Sequence, residues 1–122
     1  MNHRYELSTR LLNVNAQTLA VDVNLIHKAL ANAFRRDVLA WLKKPDEIFA
    51  HESAGFAAGF ARGVPANTIQ AHSGLSQSTV SAHLATLTDA GLLVSHRMGQ
   101  WILLSRNESV IEAFVEHVSA SL

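Results

Sequence analysis

Between Ser73 and Arg106 the chain runs SGLSQSTVSAHLATLTDAGLLVSHRMGQWILLSR, and few folds accept that order of signals. Ser73-Gly74-Leu75 reads as a tight turn, with Gly74 free to take the left-handed backbone that close helix–helix corners require. Ser76 has the hydroxyl of a helix N-cap. Val80, Leu84 and Leu87 then recur at i, i+4 and i+7, the narrow apolar stripe of one helix face. Gly91 ends that helix and Leu92-Leu93-Val94 starts a strand. Arg97-Met98-Gly99-Gln100 forms a turn, and Trp101 to Leu104 returns as a second strand. With the stripe inward, a rotation of about 100° per residue puts Ser78, Ala82 and Ala85 on the outer side, flanked by Thr79, Ser81 and Thr86. Helix, turn, helix and hairpin is the order these residues predict.

Composition narrows the chemistry. At 122 residues and 48% hydrophobic content the chain fits one domain with a real core. It has no cysteine, which excludes disulfides, thiolate metal sites and cysteine nucleophiles. No apolar run reaches transmembrane length, and MNHRYELSTR lacks the apolar centre of a signal peptide, so the cytoplasm is the expected location. Ten Lys and Arg balance ten Asp and Glu. The distribution is uneven: no charged residue stands between Gly63 and Thr88, while Arg35-Arg36 and Lys43-Lys44 cluster, Arg97 and Arg106 fall in the hairpin, and Glu108, Glu112 and Glu116 lie on the last helix.

The remaining segments give a single unit over residues 1–122. Residues 1–20 read as a weak helix or an arm. Asp22 caps a helix carrying Val23, Ile26, Ala29 and Leu30; Asn32 interrupts; Phe34, Val38, Leu39, Trp41 and Leu42 form a second, stopped by Pro45. Residues 45–63 form an atypical Phe/Gly-rich insertion. It reads either as a helix with Phe49, Phe56 and Phe60 on one face, or as a loop folded onto the body. Its apolar spacing favours added packing over a ligand lid. Val64-Pro65 opens the short helix Ala66 to His72, so residues 66–90 are the helix-turn-helix and 92–105 the wing. Residues 107–121 form a last helix whose Val110, Ile111, Phe114, Val115 and Val118 offer a dimerisation surface.

LIHKALANAFRRDVLAWL followed by LSQSTVSAHLATLTDAGLL resembles the ArsR/SmtB group of winged-helix repressors, over most of residues 22–118. The resemblance implies a mainly α fold with a two-stranded β-wing, homodimeric, binding an inverted-repeat operator in double-stranded DNA as a bacterial transcriptional repressor. Carried over, the DNA-binding residues are Gln77, Ser78, Thr79, Ser81 and Ala82 on the recognition helix, with Arg97 and Gln100 on the wing. Their chemistry is apt: Gln bonds bidentately to adenine, Ser and Thr reach bases or phosphates, and Ala packs on a thymine methyl. Thr79 is equally suited to capping. His83, beside the apolar stripe, is expected half-buried on a backbone group. Arg97 is the only cation near the wing tip, and Arg35 and Arg36 either touch phosphates or pair with an acid.

Many members of that group sense metals, but the cysteine pair is absent. Asn107-Glu108-Ser109 and His117 with Ala120 do not match the usual ligand pattern, nor do the other six of the seven histidines stand at paired ligand spacing. No metal and no cofactor are therefore expected. The chain is not expected to be an enzyme, since no Gly-x-Ser-x-Gly elbow appears. The alternatives to a metal-independent repressor are a protein-interaction winged helix, or a regulator controlled by a small apolar ligand or a protein partner.

Overall fold

A computed structural model describes residues 21–52 and 59–122. The expectation for residues 1–20 lies outside the described residues, as does Phe56. The first helix, α1 (Val23–Leu30), begins where the Asp22 carboxylate accepts from the N–H groups of Asn24 and Leu25 at 3.0 and 3.2 Å. Asn32 repeats the device. Its side chain accepts from Arg35 N–H at 3.0 Å, so the chain turns a corner and starts α2 (Ala33–Trp41). Pro45 then opens a single helical turn, α3 (Pro45–Ile48), where its missing N–H costs nothing.

Helix α4 (Ala66–Ser73) and helix α5 (Gln77–Asp89) follow, then the hairpin β2 (Leu93–Met98) and β3 (Trp101–Arg106), and the last helix, α6 (Glu108–Ser121). Met98 faces Trp101 across the hairpin, leaving only Gly99 and Gln100 in its turn. The strands of the wing are thus longer than the sequence suggests, and its turn tighter. One strand is unexpected. Val64 and Pro65 lead into the helix, with Pro65 at its N-cap, and they also form β1 (Val64–Pro65), antiparallel to β3 in the register Val64↔Leu104 and Pro65↔Leu103. The sheet is therefore three-stranded, in the order β1-β3-β2. A strand of two residues has no period to read, and the buried pairing with Leu103 and Leu104 defines it.

The core joins every layer. Ile26 and Ala29 of α1, Val38 of α2, Ile69 of α4, Val80, Leu84 and Leu87 of α5, Leu104 of β3, and Val110 and Phe114 of α6 are buried in one cluster. The described parts of the 45–63 segment belong to it. Phe49 and Phe60 are buried with ring centroids 6.0 Å apart, and Phe49 also meets Trp41 and His72 edge-on. Beyond α3 the backbone runs in turns up to Glu52, so the single long helix is not what carries these rings. The result is a mainly helical winged helix-turn-helix, with α5 lying at its surface beside the wing.

Candidate nucleic-acid interface

The corner between α4 and α5 is pinned by its own side chains. Ser73 Oγ donates to the Gln70 carbonyl at 2.7 Å and accepts from Leu75 N–H at 3.0 Å, while Gln70 Nε2 donates to the Leu75 carbonyl at 3.0 Å. Gly74 takes the left-handed conformation, with φ 71°, that lets the two helices meet. Ser76 then caps α5, accepting from Thr79 N–H at 3.3 Å and donating to Thr79 Oγ1 at 2.8 Å.

Burial separates the two faces of α5. Val80, Leu84 and Leu87 are buried, and Gln77, Ser78, Thr79, Ser81 and Ala82 are exposed. The five helix residues named from the sequence therefore share one open, uncharged surface. Thr79 is also committed locally, since its hydroxyl already accepts from Ser76. Gln100 stands in the wing turn and Arg97 on β2, both exposed. A groove of about 360 Å³ runs between α4, α5 and β3, and Gln77, Ser81 and Gln100 all line it. Asn67, Gln70 and Trp101, none of them singled out from sequence, complete its polar rim and floor. Asn67 sits two places before buried Ile69 on α4, a polar position on the open side of a helix, and that was the available signal. Among the described residues, no charged side chain lines the groove.

The cations are arranged differently from the expectation. Among the described residues neither Arg35, which is half-buried, nor the exposed Arg36 pairs with an acid. Arg35 Nε donates to the Ala29 carbonyl at 2.7 Å and Nη2 to the Lys28 carbonyl at 3.2 Å, while Arg36 Nη1 donates to the Leu30 carbonyl at 2.6 Å. Both bond carbonyls at the end of α1, which a corner at Asn32 brings within reach. Arg106 donates to Glu108 at 2.7 and 3.1 Å and to the Leu39 carbonyl at 3.0 Å. The Arg106 side chain bonded to Glu108 holds that carboxyl below the usual carboxylate range. By contrast Arg62 reaches the wing, its Nη1 standing 3.6 Å from Met98 Sδ, so Arg97 is not the only cation there. His83 is half-buried as expected, but its ring nitrogen meets the Arg35 guanidinium at 3.1 Å rather than a backbone group. Among the described residues no three His, Asp or Glu side chains gather as a metal cluster, and no helix is long and apolar enough to cross a membrane.

Comparison with known proteins bears on the same region. Residues 58–97 match the IclR helix-turn-helix domain. A Bacillus subtilis (strain 168) protein, the uncharacterized HTH-type transcriptional regulator YbzH, is 33% identical over 98 residues, which cover 80% of this chain and 95% of that one. The match at 58–97 overturns the ArsR/SmtB assignment, because it covers LSQSTVSAHLATLTDAGLL, the longer of the two stretches that carried it, and is of the IclR type. The physical reason lies in what those residues do. A capping hydroxyl, an i, i+4, i+7 stripe and a helix-ending glycine are needs of the winged helix-turn-helix architecture, not marks of one family within it.

Proposed function

We propose, from the premise that this chain belongs to the helix-turn-helix transcriptional regulators, that it reads DNA by laying the uncharged face of α5 in the major groove. The chain is a DNA-binding transcriptional regulator, and a relative that it matches is named as an HTH-type transcriptional regulator. The observation that carries the docking is the convergence of Gln77, Ser81 and Gln100 on one groove flanked by the wing. In this reading Gln77, Ser78, Ser81 and Ala82 face base edges, Thr79 and Gln100 bond phosphate or sugar, and Arg97 follows the backbone. The amides at the start of α5 favour a phosphate. Because residues 77–88 carry no Lys, Arg, Asp or Glu, specificity rests on short polar side chains and DNA shape.

The chain acts as a homodimer on an inverted repeat, repressing by occupying the site, independently of metal and in the cytoplasm. Support comes from α6 and α1. Val115 is 59% exposed and Leu25 42% exposed, with half-buried Ile111 and Val118 also on α6, and the exposed Glu112 and Glu116 of α6 are opposite in charge to the exposed Lys28 of α1, a pairing that a two-fold contact would use. Half-sites should then lie about 34 Å apart, one turn of DNA. Footprinting and gel-shift titration on DNA upstream of the chain's own coding region test this. Protection of two symmetric half-sites with a clear salt dependence supports the reading; no binding at low salt overturns it and favours a protein-interaction role.

A further inference from the structure

We propose that Arg35 and His83 are positioning residues for DNA binding: a junction that holds α5 at its working angle against α1 and releases it when His83 is protonated. The proposal rests on α5 being the reading helix. Arg35 extends three arms. Two end on the Lys28 and Ala29 carbonyls of α1, and the third, Nη1, lies 3.1 Å from His83 Nδ1 in the middle of α5. A guanidinium has donors only, so this contact fixes the histidine: Nδ1 carries the lone pair and Nε2 the proton. The ring also packs on Phe34, with centroids 5.1 Å apart.

One proton decides whether the third arm holds. A protonated imidazole has no acceptor left, and it sets a positive charge against the guanidinium. The apolar stripe of Val80, Leu84 and Leu87 still holds α5 to the core and sets which face looks outward, but such contacts are non-directional and leave the roll of the helix less finely fixed than a hydrogen bond does. The polar arm is directional. Without it the face bearing Gln77, Ser78 and Ser81 is no longer held in register with base edges, where hydrogen bonds weaken steeply with misalignment.

Arg35 is the charged group bonded to His83. The charged and titratable groups on the neighbouring elements are engaged elsewhere or exposed. His27 meets Phe114, Arg36 bonds Leu30, His72 pairs with Glu52, and Lys28, Asp37, His96 and Arg97 are exposed, as is Asp89 on α5 itself. His72 works in the opposite sense, because its partner 3.0 Å away is a carboxylate and protonation strengthens that pair. General protonation of exposed histidines would also add positive charge and favour DNA. Weaker binding in mild acid is therefore a signature of the junction.

The test has two arms. In the free protein, followed by NMR between about pH 8 and about pH 5.5, the amide signals of Ser78 to Ala82 should move along the titration curve of the His83 ring. In His83→Gln, whose side-chain oxygen accepts from Arg35 without titrating, they should not. In the second arm a fluorescein-labelled duplex from upstream of the chain's coding region is titrated at constant salt. Wild-type affinity should fall about tenfold across that range, and that of His83→Gln by less than about twofold. Amides that ignore the His83 titration overturn the junction in the wild type alone, whether or not the variant folds. Equal pH loss in both proteins overturns it too. Absence of duplex binding at every pH overturns the DNA role of α5 itself, a result distinct from binding that ignores pH.

Discussion

Gly63 lies so close to Leu104 that a Cβ there would stand 3.0 Å from the Leu104 carbonyl oxygen, with the Leu103 Cβ at 3.1 Å. The atoms met are the Leu104 backbone and the Cβ of Leu103, just where β1 pairs with β3, and none is the far end of a flexible side chain that could give way. The φ of Gly63, +122°, is also one that L-residues rarely adopt. Gly63→Ala is expected to cost about 1–3 kcal/mol from backbone strain, before any displacement of β1. The urea midpoint should drop accordingly. An unchanged midpoint would mean that β1 is not anchored to the wing as described.

Ser76 should behave as a cap rather than as a surface residue. Its hydroxyl accepts from Thr79 N–H, so Ser76→Ala is expected to destabilise by about 1 kcal/mol, and Ser76→Gly by only a few tenths. Equal losses for the two variants in chemical denaturation would refute the cap. The comparison also separates folding from docking, because a serine that served DNA alone would leave stability untouched.

How much of this was legible in the chain follows from where each signal resides. The stripe of Val80, Leu84 and Leu87 was legible because a helix buries residues by period, and all three are buried. The capping residues Asp22 and Ser76 were legible because their bonds are local. Arg35 was not, since its partners lie 6, 7 and 48 residues away and only the folded corner selects them. Arg62 and Met98, 36 residues apart, meet for the same reason. The family was misread because its visible residues serve the architecture. Asn67 and Trp101 became part of the site only once α4 and β3 were brought to face one groove.

The Arg106–Glu108 pair gives a pH-dependent prediction with a definite sign. The Glu108 carboxyl is held below its ordinary range because Arg106 donates to it. A carboxyl depressed in the folded state stabilises above the range in which the unfolded chain's carboxyl titrates, and that contribution is lost as pH falls through the folded value. Glu108 is 59% exposed, so solvent screening limits Glu108→Gln to at most about 1 kcal/mol at neutral pH. The gap between wild type and variant should narrow as pH falls toward about 3. Arg106→Ala should cost more, about 1–3 kcal/mol, because it also strands the part-buried Leu39 carbonyl. A gap that widened in acid would contradict the pairing.

Arg97 and Ser81 should fail in different ways on DNA, and the difference tests the docking. Arg97 is exposed on β2 with its neighbour Arg62 reaching Met98, so its contribution is electrostatic and indifferent to sequence. Arg97→Ala is expected to weaken operator and non-operator duplexes alike and to reduce the salt slope by about 1 per protomer. Ser81 lines the groove beside Gln77 and carries no charge. Ser81→Ala should leave the salt slope alone, cost about 1 kcal/mol on the operator, and relax discrimination at one base position of each half-site. Neither change removes a core contact or an internal hydrogen bond given above, so thermal unfolding should stay within about half a kcal/mol of wild type. Fluorescence anisotropy across a salt series reads both quantities at once. Unchanged affinity in both variants would mean that DNA does not lie along α5 and the wing, whatever the fold suggests.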